Sequence, residues 1–375
     1  MNRLQNCMEE LVKFTLLSHV NQTLDFDLGL SLEFCSGLLK QEPNDNAVSR
    51  SAGVDFDYGS PEGVPLYPLY KRLASALYCS VNQRVFCKTC EVVGLINEDD
   101  FSKQREKEWS GLLLDKGSGL VNILEAVDFE LHVQEHFFSL IKDGVKTVEG
   151  RCAVGDYNRI GSGAMILLNK CMLLEVQCVR QYALFSEMLE AESLEKVLPG
   201  VQTIEEGVQI YRKFYVEEKE RSNGVLAICV SKMPAQPYIS LASILSGLSY
   251  WGIQSLLGLA HTAGTMSNAL PPPRSSLLSS FMFPFKPNVD SWRGILYKFQ
   301  ILERDSDKNR LAMDVIGHLI AHCCWLNLHI VPPHGIVFEL RVADGYGARW
   351  SKDGKKFIGF LEPYMEDGHS KGLKH

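Results

Sequence analysis

From Met233 to Pro273 the chain carries no aspartate, glutamate, lysine or arginine. A stretch of that length without charge must be buried in protein, embedded in lipid or drawn out as a spacer. Within it, Tyr238 to Ala260 is long enough to cross a bilayer. Serine, glycine and glutamine recur throughout, however, and Lys232 and Arg274 stand at the two ends without an inside bias. The pattern favours a packed helical hairpin or linker over a span at 238–260, and so predicts no membrane association. Leu270-Pro-Pro-Pro-Arg274 and Phe283-Pro-Phe-Lys-Pro287 read as extended spacers. Residues 233–290 therefore form a connector, with folded units expected on both sides.

Upstream, Phe129 to Asp143 reads as a short alternating strand followed by a helix with apolar Phe137, Phe138, Leu140 and Ile141, which Gly144 is placed to stop. The run Gly144-Val-Lys-Thr-Val-Glu-Gly-Arg151 then packs a lysine, a glutamate and an arginine into one extended segment. In a strand Glu149 and Arg151 share a face, and Lys146 joins them only through a bulge, a twist or the preceding turn. The plain alternative is a solvated strand face. Gly155-Asp156 reads as a turn, 164–168 and 173–179 as apolar strands, 185–196 and 203–215 as helices, and 225–230 as a buried closing strand.

These residues carry a resemblance. Gly144, Lys146, Glu149 and Arg151 match the Gly-x-Lys-x-x-Glu-x-Arg motif of the ASCH (activating signal cointegrator homology) domain, and residues 128–232 resemble that domain in element order. The resemblance implies a small PUA-like β-barrel associated with RNA, with a cleft between barrel and helices for a nucleotide, a nucleoside or an RNA end. Gly144, Lys146, Thr147, Glu149 and Arg151 are its candidate nucleic-acid-binding residues. Lys146 offers a point charge, Arg151 a planar fork for phosphate or a base edge, and Glu149 an acceptor for an exocyclic amine.

Some bacterial relatives of the fold are metal-independent amidohydrolases of N-acetylcytidine that use a lysine, a threonine and a distant glutamate. Here Lys146 matches the lysine, but Glu149 occupies the threonine position, while Thr147 faces the other way along a regular strand. Glu190 or Glu192 is the candidate distant carboxylate. If the chain is an enzyme, Lys146, Glu149 and Glu192 are its catalytic set. A third possibility is a non-catalytic scaffold in a transcription or RNA-processing assembly, meeting protein partners through the N-terminal helices.

A net charge of −7 argues against gripping nucleic acid by bulk electrostatics, so contacts should be local. The eleven cysteines, several in apolar runs, read as small buried hydrophobes of a reducing compartment. With acidic residues where a signal peptide needs an apolar run, the expectation is a cytoplasmic or nuclear protein. Cys87-Lys-Thr-Cys90 has the spacing of half a zinc site, but no second such pair follows, and no metal or cofactor is expected.

Residues 1–125 read as mostly helical, with helices at 8–20, 31–39 and 67–81 and a mobile linker at 41–63. Tyr67, Tyr70 and Tyr78 fit core packing better than RNA stacking. The last unit, 291–375, alternates a strand (294–302), a helix (309–328) and a strand (335–342), an α+β module. On that helix Asp314, His318 and His322 recur every four residues, and with His329 or His334 they offer a zinc set; a hydrogen-bonded polar face is the simpler reading. The tail from Ala343 reads as a hairpin turning at Asp353-Gly354, with Arg349, Trp350, Lys352, Lys355, Lys356, Phe357 and Phe360 as candidate RNA contacts. The predicted fold class is α+β: a helical N-terminal region, a central PUA-like barrel with flanking helices and a C-terminal α+β module.

Overall fold

The computed structural model describes residues 3–42, 63–87, 100–262, 264–280 and 305–363, with the backbone alone at 100–103 and 305–309. Most of the expected 41–63 linker, Cys90, the strand expected at 294–302 and the spacer at 283–287 lie outside the described residues. The chain divides into two compact units, one of residues 1–14 and 116–241 and one of residues 15–115 and 242–375.

The first unit is built on a five-stranded sheet in the order β1-β3-β4-β5-β2. Its strands are β1 (Phe129–Leu131), β2 (Val148–Cys152), β3 (Met165–Leu168), β4 (Met172–Tyr182) and β5 (Val225–Lys232). β1 runs parallel to β3, and every other pairing is antiparallel. β4 pairs β3 along residues 172–175 and β5 over most of its length, and a register shift between Val176 and Cys178 lets it bend across both. The sheet therefore curls into a half-barrel. Among the described residues no ladder joins its edge strands β1 and β2. The side chain of Arg151 bridges that opening instead, donating from Nη2 to the carbonyl of His132 at 2.6 Å.

Local chemistry places the elements around the motif. The helix Phe137–Lys142 ends where Gly144 takes φ +74°, a left-handed turn that costs glycine little. On β2 alternate residues Val148, Gly150 and Cys152 are buried, and Glu149 and Arg151 share the other side. The helix expected at 185–196 is two, Phe185–Glu192 and Leu194–Val197, broken at Ser193 with φ +71°. Thr203 caps the helix Ile204–Arg212 by accepting from the Glu206 amide, and Glu206 reaches back to the amide of Gln202. These helices bury Phe185, Met188, Leu189, Val197 and Tyr211 against Val148, Cys152, Val225 and Ala227. Phe185 and Tyr211 stack with ring centroids 4.1 Å apart.

The second unit holds a four-stranded antiparallel meander of β6 (Trp325–Val331), β7 (Gly335–Arg341), β8 (Gly347–Ser351) and β9 (Phe357–Leu361). The helix Asp305–His322 packs on β7 and β8 and stops earlier than the sequence suggests. The apolar letters of 325–328 belong to β6: a short apolar run does not distinguish a buried strand from a helix continuing. Leu326, Leu328, Phe338, Leu340, Ala348 and Trp350 are fully buried. Trp350 donates its indole N–H to Ser280 Oγ at 3.1 Å, so it is a core residue and unavailable for stacking on a base. The 353–354 turn joins β8 to β9 as expected, with Gly354 at φ +72°.

In the charge-free region the helix Pro237–Leu256 breaks at Ser249, φ 55°. No helix among the described residues is long and apolar enough to cross a membrane. The expected helices near the N-terminus appear as Arg3–Val20, Leu32–Leu39 and Leu69–Gln83. Tyr70 is buried and the Tyr67 hydroxyl donates to the Pro271 carbonyl, so both pack as core residues do.

Candidate functional site

Lys146 stands one turn ahead of β2, and its side chain is 2 % exposed. A buried ammonium needs an acceptor for each of its N–H groups. Nζ finds them in the carbonyls of Val148 at 2.7 Å and Val197, and in Glu149 Oε2 at 3.0 Å. Burial lowers the Lys146 pKa from its ordinary value, and Glu149 opposes that shift.

Glu149 uses its other oxygen on Arg151, with Oε1 3.0 Å from Nε. That nitrogen is off the hydrogen-bonding line, so the contact is an ion pair without a well-formed hydrogen bond. Burial would lower the Arg151 pKa, but the charge of Glu149 and the hydroxyl of Tyr215 outweigh it and raise it. The guanidinium carbon lies 5.9 Å from the centre of the Tyr157 ring, and Lys146 Nζ lies 5.8 Å from that of Phe137. The three motif side chains thus form one chain of charge, Lys146–Glu149–Arg151, running from the interior toward the opening between β1 and β2.

The turn at Gly144 hands the backbone to Lys146, and Thr147 is held by its own backbone, its amide donating to Lys196 and its carbonyl accepting from Val230. The structure pairs Glu192 with other partners. It accepts from Arg180 Nε at 2.5 Å and from the Tyr182 hydroxyl at 2.6 Å, and these bonds, the one from Arg180 first, lower its pKa against the effect of burial. The charges acting on it are those of Arg180 and Lys196, whereas those acting on Lys146 are Glu149 and Arg151.

Sequence reasoning missed Gly150, Tyr211, Tyr215 and Tyr157. A Cβ at Gly150 would stand 2.7 Å from Met188 Cε and would clash with the Tyr211 hydroxyl. The glycine lets two helices close onto β2. Tyr211 lies in the helix Ile204–Arg212 and Tyr215 just past its end, short of the helix expected to reach 215, with its amide donating to the Tyr211 carbonyl; the four-residue spacing was the available signal. Tyr157 lies on a 3₁₀ turn at Gly155–Arg159, where no periodicity marks it.

This geometry belongs with a family-model match over residues 131–234 to the ASCH domain. That stretch of the chain is an ASCH domain. Two solved structures align with it: the hypothetical protein PH0355, at 42 % identity, and the protein PF0455 from Pyrococcus furiosus, at 44 %. Each alignment covers 28 % of this chain and 98 % of the other, with TM-scores of 0.28 and 0.27. No curated protein matches the chain.

Two clefts of about 700 Å³ open on the ASCH domain. One is lined by Asn158, Ser162, Gln177, Cys178 and Gln181, the other by Asp128, Glu130, Asp156, Tyr157 and Arg159. Neither is lined by Lys146, Glu149 or Arg151; the first includes Leu226, the cross-strand partner of Arg151, and the second meets the motif through Tyr157. No group of three or more metal-ligating side chains occurs among the described residues. His318 and His322 stack at 4.3 Å, and His322 Nδ1 bonds the His318 carbonyl at 3.0 Å. Cys87 Sγ lies 3.1 Å from Gln83 Oε1, and its would-be partner Cys90 is outside the described residues.

Proposed function

We propose that the protein binds RNA or a nucleotide through its ASCH domain, at the surface where Arg151 meets Tyr157 and Tyr215. The observation that carries this reading is the division of roles within the motif. Lys146 is saturated by Glu149 and two carbonyls, so it holds the glutamate in place rather than meeting a ligand. Glu149 and the His132 carbonyl in turn fix Arg151, whose guanidinium lies at the edge of the charge chain beside two tyrosines. A planar cation next to aromatic rings suits a phosphate beside a stacked base.

The adjoining cleft supports a small target. Asp128, Glu130 and Asp156 accept from exocyclic amines and repel a row of phosphates, which favours a single nucleotide or an unpaired RNA end over a duplex. Titrating the full chain with nucleoside monophosphates and with short single-stranded and duplex RNA tests this. Preference for the unpaired ligands is the expected result, and equal or better binding of duplex would sink the reading.

One observation favours a second reading, an amidohydrolase of an acylated nucleoside such as N-acetylcytidine. Lys146 is buried, carries a lowered pKa and touches a carboxylate, as a lysine acting in proton transfer would. Acetate release from N-acetylcytidine that disappears in Lys146→Met supports this alternative, and no release by the wild type removes it.

A further inference from the structure

The sheet of the second unit has an apolar face and a polar one. Register places Trp325, Asn327 and His329 of β6 on the same side as Glu339 and Arg341 of β7 and Arg349 of β8. Glu339 is fully buried at the centre of this group. Its Oε1 accepts from Arg341 Nε at 2.7 Å, and its Oε2 from Arg349 Nε at 2.5 Å and from His329 Nε2 at 3.2 Å. Arg341 is further held by the carbonyls of Gly345 and Glu362, and Asn327 by the hydroxyls of Thr262 and Thr265.

Two donors on this face are left over. The terminal nitrogens of Arg349 have no partner among the described residues, and its side chain is 16 % exposed. The indole N–H of Trp325 is wholly buried without a partner, on a ring whose centre is 6.2 Å from that of His329. A shielded N–H without an acceptor is unfavourable and rare in folded proteins. With Glu339 set against Arg341 and Arg349, the cluster carries one excess positive charge, and the unused groups on the arginine and the indole are both donors.

We propose that this polar face is a binding site for an oxyanion, the phosphate or carboxylate group of a small ligand. Arg349 supplies the fork that meets the anion, Glu339 fixes the angle of that fork from below, and the Trp325 N–H donates to a ligand oxygen. His329 borders the site, with its Nε2 on Glu339. The site is separate from the ASCH motif and does not rest on the reading given for it.

Calorimetric titration of the full chain with inorganic phosphate and with acetate, at constant ionic strength, tests the proposal. Saturable binding of either anion is expected, and the anion that binds identifies the group. Arg349→Gln should weaken it at least about tenfold, as loss of a charge-assisted hydrogen bond does. Arg349→Lys, which keeps the pair with Glu339 but lacks the fork, should weaken it similarly and serves where the glutamine variant fails to fold. Trp325→Phe should weaken it several-fold, whereas Arg151→Gln should leave it unchanged. Absence of saturable binding to both anions, or wild-type affinity in the Arg349 and Trp325 variants, would overturn the proposal.

Discussion

Replacing Glu149 with glutamine tests how the motif is held together. Among the described residues the carboxylate is the one anion acting on both Lys146 and Arg151, at 3.0 Å from each, and Lys146 is 2 % exposed. A glutamine of the same shape can turn its oxygen to one cation only, and its amide N–H groups then face the other. Removing one partner of a buried pair costs about 3–5 kcal/mol. Two carbonyls still receive the Lys146 ammonium, which places the expected loss near the lower end, about 3 kcal/mol.

Lys146→Met should cost less, because Glu149 keeps Arg151 and the methionine fills the same apolar path. Hydrogen exchange of the β2 and β5 amides in the full chain is the appropriate assay, since it reads the stability of this sheet without reference to the second unit. Lys146→Met losing more protection than Glu149→Gln, or no loss in Glu149→Gln, would refute the reasoning.

Other consequences can be measured alongside. Burial lowers the Lys146 pKa, so above that value the unfolded chain holds the proton longer than the folded one, and this group adds stability as pH rises toward its unfolded value of 10.5. Glu149→Gln should deepen that rise and Lys146→Met abolish it, as followed by denaturation from neutral to about pH 10. Gly150→Ala should destabilise the ASCH domain by about 1–3 kcal/mol through overpacking, partly relieved by Tyr211→Phe, and an unperturbed alanine variant would contradict the packing described. In the second unit, hydrogen bonding by His329 and the charges of Arg341 and Arg349 overcome burial and hold Glu339 near pKa 2, against 4.5 ordinarily. Its contribution of about 3 kcal/mol should be complete above pH 4.5 and fade as pH falls toward 2, read by tryptophan fluorescence, and should be missing in Glu339→Gln.

The elements around the motif were legible because their signals are local. Gly144 ending a helix, Thr203 opening one and the alternation on β2 each follow from a few neighbouring residues. Strand alternation likewise anticipated that Glu149 and Arg151 share a face, and it left Lys146 a bulge, a twist or the preceding turn, of which the structure uses the turn before β2. What the sequence did not disclose depends on distant partners. Val197 accepts from Lys146 across fifty-one positions, and nothing near Lys146 announces that its hydrogens are already taken. From its neighbours alone the lysine read as a ligand group, whereas its ammonium already meets two carbonyls and a carboxylate within the fold. Trp350 read as a candidate RNA contact for the same reason, since the Ser280 hydroxyl that takes its indole N–H lies seventy positions away.

The central claim is that Arg151, held by Glu149, is the ligand-facing group of the ASCH domain. Its most direct test is the affinity of the full chain for a short single-stranded RNA at two salt concentrations, wild type against Arg151→Lys. Lysine preserves the charge but not the fork, so the claim predicts at least about a tenfold loss with little change in the shallow salt dependence. Equal affinity in the two proteins would contradict it.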